Sequence, residues 1–352
     1  MSSTDARALV VGEALVDAVV RPDGTRATYP GGSPANVALG LGRLGRRVDL
    51  LTWLGDDDDG DAVRAHLEAS GVRVLRGTTR PGRTPVATAH LDAAGVATYA
   101  FDLTWDLPDA WDEGPGDPVV VHTGSIGSVL VPGGAKVADL LRARRATSTI
   151  TYDPNLRPAL MGDPADVRPL VEALVELSDV VKVSDEDLAW LLPGQAPADV
   201  AARWATRGPA LVVVTLGGEG ALAATSSGAR LTVPAPRVEV ADTVGAGDSF
   251  MGGLVDGLWS AGLLGADRRG ALRDADAATL EHLLARCVRI AAITVSRPGA
   301  NPPGTAELEP PTDAAHEETA VRTGADGTLV DTTHHDPSPH GTVRQSTSGG
   351  DA

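Results

Sequence analysis

Asp242-Thr-Val-Gly-Ala-Gly-Asp248-Ser-Phe250 reads as a glycine turn that opens a helix. Val238-Glu-Val240 just before it is a short β-type run, and Phe250, Leu254 and Leu258 after it recur at helical spacing. Gly245, Ala246 and Gly247 let the backbone approach a ligand closely. The free N–H groups and dipole of a helix N-terminus favour phosphate-like anions. Asp248 stands at that start. It is either an N-terminal cap or a reactive carboxylate beside a phosphate, and this stretch alone leaves both open.

Working outward from that turn, strand and helix patterns alternate. Ala8–Gly12 is a buried first strand, which residues Ala18–Val20 continue or follow with a second. Gly31-Gly-Ser-Pro-Ala-Asn36 is a turn feeding a helix, with Ser33 expected at the N-cap and Pro34 at the first helical position. Val48–Trp53 is a strand and Asp61–Ser70 a helix. From Val119 the order is strand 119–122, helix 134–145, strand 149–153, helix 167–177, strand 180–183, helices 186–192 and 200–206, and strand 210–215. Leu272–Arg297 is mostly helical. Such alternation predicts a mostly parallel sheet flanked by helices, with ligands at the C-terminal strand ends. The stretch from Val72 to Phe101 breaks the alternation and predicts strand pairs projecting from the body, with a turn at Asp92–Gly95.

The chain has 352 residues, a formal charge of −17 and one cysteine, Cys287. That charge argues against a nucleic-acid or anionic-membrane partner. A single cysteine gives no disulfide framework. The apolar start carries Glu13 and Asp17, so it reads as neither a signal peptide nor a span, and a soluble cytoplasmic protein is expected. Residues 305–352 hold nine acidic against two basic side chains among Thr, Ser, Pro and Gly, which predicts an acidic disordered tail.

Other motifs carry two readings each. Gly40-Leu-Gly42-Arg-Leu-Gly45 matches the G-x-G-x-x-G dinucleotide pattern, but it ends a helical run and does not join a strand to a helix. Close helix packing and a helix stop explain it better than a nicotinamide enzyme. Asp56-Asp-Asp-Asp59 precedes a helix, where capping and dipole compensation account for it. Asp17 and Asn36 are each either structural or polar hands turned toward a ligand.

Gly31–Gly45, followed by Gly55-Asp56 and Gly60, resembles the first signature of the ribokinase-like (PfkB) carbohydrate kinases. Asp242–Phe250 resembles the second. The resemblance covers about residues 7–304, close to fructokinase members, and implies a Rossmann-like body with a small β-sheet lid from segments 14–30 and 72–104. It implies Asp248 as catalytic base, with Gly245, Ala246 and Gly247 as the anion hole. Asp17, Gly32 and Asn36 match positions that hold sugar hydroxyls. Lys182, Thr215, Gly217, Gly220 and Asn301 match the nucleotide side. Asp187 falls where magnesium is organised, although Ser184-Asp-Glu-Asp187 replaces the usual N-x-x-E. Asp242 falls near a monovalent-cation site, K+ being the expected ion. ATP and Mg2+ are therefore the implied cofactors and a small sugar the implied substrate, while exposed lid strands would suit a homodimer through the lid. Ser33 stands where ribokinases proper tend to have Lys, which argues against ribose. Arg157 follows a strand end and can reach a sugar hydroxyl or a carboxylate. Fructose and 2-keto-3-deoxygluconate are the two leading substrates, and a catalytically silent sugar sensor is the alternative of another class.

Overall fold

Ala8, Leu9, Val10 and Val11 are each 0% exposed, and their alternating side chains enter two separate cores. A strand buried on both faces belongs in the middle of a helix-covered sheet. The computed structural model describes residues 6–92 and 97–308 and builds outward from this strand. In chain order, β1 (Ala8–Val11) is followed by β2 (Leu15–Val20), β3 (Arg26–Gly31), α1 (Ser33–Arg43), β4 (Val48–Leu51), α2 (Asp58–Glu68) and β5 (Val72–Leu75). Then come β6 (Val86–Leu91), β7 (Ala97–Asp102), β8 (Val120–Gly124), α3 (Gly133–Arg144), β9 (Thr149–Asp153), α4 (Pro158–Met161) and α5 (Pro164–Leu177). β10 (Val180–Ser184), α6 (Asp185–Leu191), α7 (Pro197–Ala205), β11 (Leu211–Thr215), β12 (Ala221–Thr225) and β13 (Arg230–Val233) complete the strands. Helices α8 (Ala246–Ser260), α9 (Arg269–Arg273), α10 (Ala277–Val295) and α11 (Thr305–Leu308) close the described chain.

Nine strands form the main sheet in the order β13-β12-β11-β10-β9-β8-β1-β4-β5. All pairings are parallel except the antiparallel β11–β12 and β12–β13 pairs. Strand order reverses at β1, which pairs with β4 on one side and β8 on the other, and this is the switch point where such sheets bind ligands. Four strands, β3-β2-β6-β7, make the lid sheet.

Several expectations need correction. Val72–Leu75 is no part of the lid. It pairs in parallel with β4 at the edge of the main sheet, because Val72, Val74 and Leu75 are buried there beside the α2 crossover. The lid therefore draws its second half from β6 and β7 alone. Val238–Val240 is not a strand; Val238 and Val240 are 42% and 59% exposed in coil. The hairpin of β12 and β13 instead extends the sheet, and its alanine-rich sequence gave no strand signal. Leu272–Arg297 divides into α9 and α10, where Asp276 caps the second helix by accepting from Thr279 N–H. Ser33 is not the N-cap of α1. Gly32 takes that position with φ 101, and a Cβ there would lie 2.6 Å from the Glu13 carbonyl oxygen. Folded chain passes residue 305, since α11 is tied back by the Arg297–Glu307 ion pair. The expected tail beyond it, residues 309–352, and most of the turn at 92–95 lie outside the described residues.

The Gly40–Gly45 motif serves packing. A Cβ on Gly42 would sit 2.2 Å from the Ser70 carbonyl oxygen, and Gly45 ends the helix at φ 79. Gly42→Ala should therefore cost about 1–3 kcal/mol in a urea unfolding titration. A cost near zero would remove the packing explanation. Helix α8 packs closely on α10 through its own glycines: a Cβ on Gly253 would meet Ile290 at 2.8 Å, and one on Gly257 would meet Leu283 at 2.8 Å. That grip fixes where the α8 N-terminus points.

Candidate active site

The register of the parallel strands brings their C-terminal ends level. Gly124 pairs with Asp153, and Ser184 with Thr215. The glycine turn at the start of α8 faces this edge. Gly245 caps the helix in the left-handed region, φ 76, and a Cβ there would strike Ala300 Cβ at 2.6 Å. Ala246, Gly247 and Asp248 follow as its first turn, whose amides have no intrahelical acceptor of their own.

Asp248 is 6% exposed and held from two sides. Oδ1 accepts from the Ser33 hydroxyl at 2.7 Å and from Asn155 Nδ2 at 3.1 Å, while Oδ2 accepts from Asn36 Nδ2 at 2.8 Å. Asn155 also donates to Ser33 Oγ at 2.7 Å. Asp248 is thus not a self-contained helix cap; neutral donors from α1 and from the loop after β9 set its direction. Asn155 needs the left-handed region, φ 37, to reach it. The sequence marks Ser33 only as a helix cap and as a departure from ribokinases, and neither Ser33 nor Asn155 as a partner of Asp248. Asn155, a polar residue that tolerates positive φ, after a strand-ending Asp-Pro was the available signal.

A buried ion pair lies beneath the turn. Lys182 Nζ donates to Asp153 Oδ2 at 2.9 Å, with the two residues 2% and 0% exposed. The same Nζ stands 2.8 Å from the place a Cβ would occupy on Gly247. Lys182, expected on the nucleotide side, therefore sits under the glycine turn and already carries a counter-charge. Burial raises the Asp153 pKa to about 6; Lys182 opposes that, and the Asp187 and Asp248 carboxylates add to it. Asp153 Oδ1 has no partner among the described residues. His122 packs beside this pair, its Nδ1 3.1 Å from the Thr151 hydroxyl, and burial followed by the Lys182 charge lowers its pKa to about 3.

The remaining expected residues divide. Asp17 projects from lid strand β2 with its carboxyl against Gly31, where a Cβ would lie 2.1 Å from Oδ2. Removal of that carboxyl from water raises its pKa, and the charge of Arg157 pulls the other way. Arg157 is exposed and grips its own loop through Asn155 Oδ1 and the carbonyls of Asn155 and Leu156. Thr215, Gly217 and Gly220 line the connection from β11 to β12, where Gly220, φ 107, has the Val233 carbonyl 2.1 Å from a would-be Cβ. Asn301 is turned elsewhere: its Oδ1 accepts from Arg43 at 2.6 Å, at the far end of α1. That end is about 15 Å from Ser33 along the helix. Asp187 is buried and braces two segments, Oδ1 accepting from Leu156 N–H at 2.8 Å and Oδ2 from Ser184 N–H at 3.2 Å. Asp242 similarly joins two loops, accepting from Val244 N–H at 3.0 Å and Gly299 N–H at 2.8 Å. No group of three metal-ligating side chains exists among the described residues. Asp153, with one buried oxygen unpartnered, and Asp187 are the carboxylates that would hold a magnesium ion through water.

Glu13 was read only as a charge in an apolar run. It is 4% exposed at the end of β1, and burial raises its pKa to about 7 against amide and Ser125 hydrogen bonds that lower it. A raised folded-state pKa gives stability that is complete below the unfolded value and is lost as pH rises through the folded one. Relative to Glu13→Gln, the wild type should therefore lose about 3 kcal/mol between about pH 4.5 and about pH 8. Urea titrations across that range check it, and a pH-independent difference would sink the assignment.

A parallel sheet with a strand lid, and a buried carboxylate at a glycine-led helix start on the strand-end edge, define an α/β small-molecule kinase. The chain belongs to the pfkB family of carbohydrate kinases, whose sequence pattern matches residues 5–307. It is 38% identical over 264 residues to a fructokinase of Rhizobium leguminosarum bv. trifolii, covering 71% of this chain and 79% of that protein. The fold matches fructokinase from Xylella fastidiosa with bound ATP, with TM-score 0.71 and 25% identity, over 84% of this chain and 93% of that one. A double mutant of Vibrio cholerae O395 fructokinase in its fructose-, ADP- and potassium-bound form matches with TM-score 0.68 and 26% identity, over 86% and 97% of the two chains. No helix among the described residues is long and apolar enough to cross a membrane.

Proposed function

We propose that this carbohydrate kinase transfers the γ-phosphoryl group of ATP to a primary hydroxyl of fructose, with Asp248 as the base. The carrying observation is Asp248, buried at the glycine turn and aimed by Ser33, Asn36 and Asn155. Phosphoryl transfer asks little covalent work of a protein; positioning and charge neutralisation dominate. The first-turn amides of Gly245–Gly247 face the transferring oxygens, with Lys182 adding positive charge from below. Asp248 orients the acceptor hydroxyl and takes its proton. Asp17, Gly32 and Asn36 line the sugar side, and the lid strands exclude water. Thr215, Gly217 and Gly220 line the nucleotide side. Asn301 reaches that side only through its neighbours, since its own oxygen is held by Arg43. Magnesium, when bound, neutralises phosphate charge; Asp187 and Asp153 would hold its waters. Asp242 would neighbour a potassium ion by shaping the two loops it joins.

The fructokinase relatives support fructose. The rival, 2-keto-3-deoxygluconate, rests on exposed Arg157, whose charge reaches the sugar-side Asp17 and would suit a substrate carboxylate. The lid also presents Tyr29, 55% exposed, and Phe101, 38% exposed, a surface suited to pairing with a second copy. An ADP-release assay over fructose, 2-keto-3-deoxygluconate, ribose and adenosine tests the reading. Fructose should give the highest kcat/KM. A preference for the keto-acid would transfer the assignment to the rival, and silence on all four would favour a sugar sensor.

A further inference from the structure

The Glu13 side chain lies where the chain leaves the body for the lid, between the end of β1 and the start of β2. Its Oε1 accepts from Ser33 N–H at 3.3 Å, the second residue after the lid returns through β3. Its Oε2 accepts from Gly127 N–H at 2.9 Å in the 3-10 turn after β8. The Gly127 carbonyl in turn accepts from Trp105 Nε1 at 2.8 Å, three residues beyond lid strand β7. Glu13 thus ties its own lid connection directly to the one at Ser33 and, through Gly127, to the one at Trp105. The fourth connection, at Thr84 before β6, is tied separately to Asp57 and Gly55.

Space is tight around this junction. A Cβ on Gly127 would fall 2.7 Å from Glu13 Oε2 and 2.9 Å from Gly12 Cα. A Cβ on Gly133 would fall 2.3 Å from Trp105 Nε1. Neither glycine therefore leaves room for a side chain at the junction. One end of the network reaches the reactive centre, because the residue whose amide Glu13 holds, Ser33, donates its hydroxyl to Asp248 at 2.7 Å.

We propose that Glu13 is a positioning residue that clasps the lid connections together and passes the position of the lid to Asp248 through Ser33. The proposal rests on Asp248 as the base. Sugar binding beneath the lid would seat β2 and β3, seat the Glu13 clasp, and bring the Ser33 hydroxyl into register with the Asp248 carboxylate. Turnover is then coupled to lid position without any lid residue touching the reacting atoms.

A double-mutant cycle on the full chain tests this, with kcat and sugar KM measured in the ADP-release assay on the best panel sugar. Glu13→Gln keeps the shape but offers one acceptor oxygen to two N–H donors, so one donor loses its partner. Ser33→Ala removes the hydroxyl and leaves the amide held by Glu13. Each single variant should lower kcat by about tenfold or more while KM moves less than about threefold, and the double variant should be no slower than the slower single one. A Glu13→Gln kcat within about twofold of wild type, or single effects that multiply in the double variant, would overturn the clasp. Should Glu13→Gln fail to fold, Trp105→Phe keeps the ring and removes the N–H to Gly127. Its loss of kcat should vanish in the Ser33→Ala background, and an unchanged or multiplying effect overturns the proposal equally. Asp248→Asn separates the two claims. Full turnover in that variant removes the base itself, whereas lost turnover together with multiplying Glu13 and Ser33 effects removes only the clasp.

Discussion

Asp248→Asn should bind sugar with near-normal affinity and turn over on the order of 10³-fold more slowly. The substitution is nearly isosteric, so the pieces around it can stay in place. The side-chain oxygen of the new amide can still accept from Ser33 and Asn155. Asn36, which donates to Asp248 Oδ2 at 2.8 Å, can rotate its amide to present oxygen to the new NH2 group. What disappears is the acceptor for the hydroxyl proton. A loss confined to kcat would mark an interaction made in the transition state. Calorimetric sugar affinity and ADP release together check it. Turnover within about tenfold of wild type would remove Asp248 from the chemistry.

Lys182→Met should destabilise the protein by about 3–5 kcal/mol, the cost of leaving a buried charge without its partner. Asp153 is 0% exposed and sits 2.9 Å from the ammonium, so no water can replace it without opening the strand ends. Its pKa, already raised to about 6 with Lys182 present, would rise further without that charge. The pH dependence follows from this direction. A carboxyl with a raised folded-state pKa is tolerated when protonated, so the deficit of Lys182→Met should shrink as pH falls from about 8 to about 5. Lys182→Met with Asp153→Asn should recover part of the loss at neutral pH, because the hole then carries no net charge. Urea titrations of wild type, single and double variants decide it. A double variant less stable than Lys182→Met alone would refute the account. ATP affinity should fall in both variants, since each lacks the charge beneath Gly247.

The difference between what could and could not be read from sequence has a physical origin. The parallel body was legible because buried strands such as Thr149–Asp153 and helices such as Pro164–Leu177 carry their own periodicity. The glycine turn at Gly245–Gly247 was legible because backbone freedom there is a local property. Ser33 and Asn155 were not, because their role is a meeting with Asp248 across 215 and 93 residues of chain. The Gly-Gly-Ser turn even suggested a cap for Ser33, and the hydroxyl serves the tertiary contact instead. Strand β5 was misplaced for a related reason: Val72-Arg-Val-Leu75 shows alternation but not which sheet it joins. Ala221–Thr225 has little β propensity of its own and becomes a strand by pairing with β11. The backbone-joining contacts of Asp187 and Asp242, two residues expected on the metal side, were likewise not legible, because each accepts from segments far apart in the chain.

The lid is assembled from two pieces of chain, β2–β3 and β6–β7, with α1, β4, α2 and β5 between them. During synthesis from the N-terminus, β2 and β3 therefore leave the ribosome well before the strand that pairs with the far side of β2. Until Val86–Leu91 arrives, β2 has an open edge carrying Val16, Ala18 and Val20, the kind of template on which nascent chains associate wrongly. The acidic side chain of Asp17 in the middle of that edge would then protect the growing polypeptide as a gatekeeper.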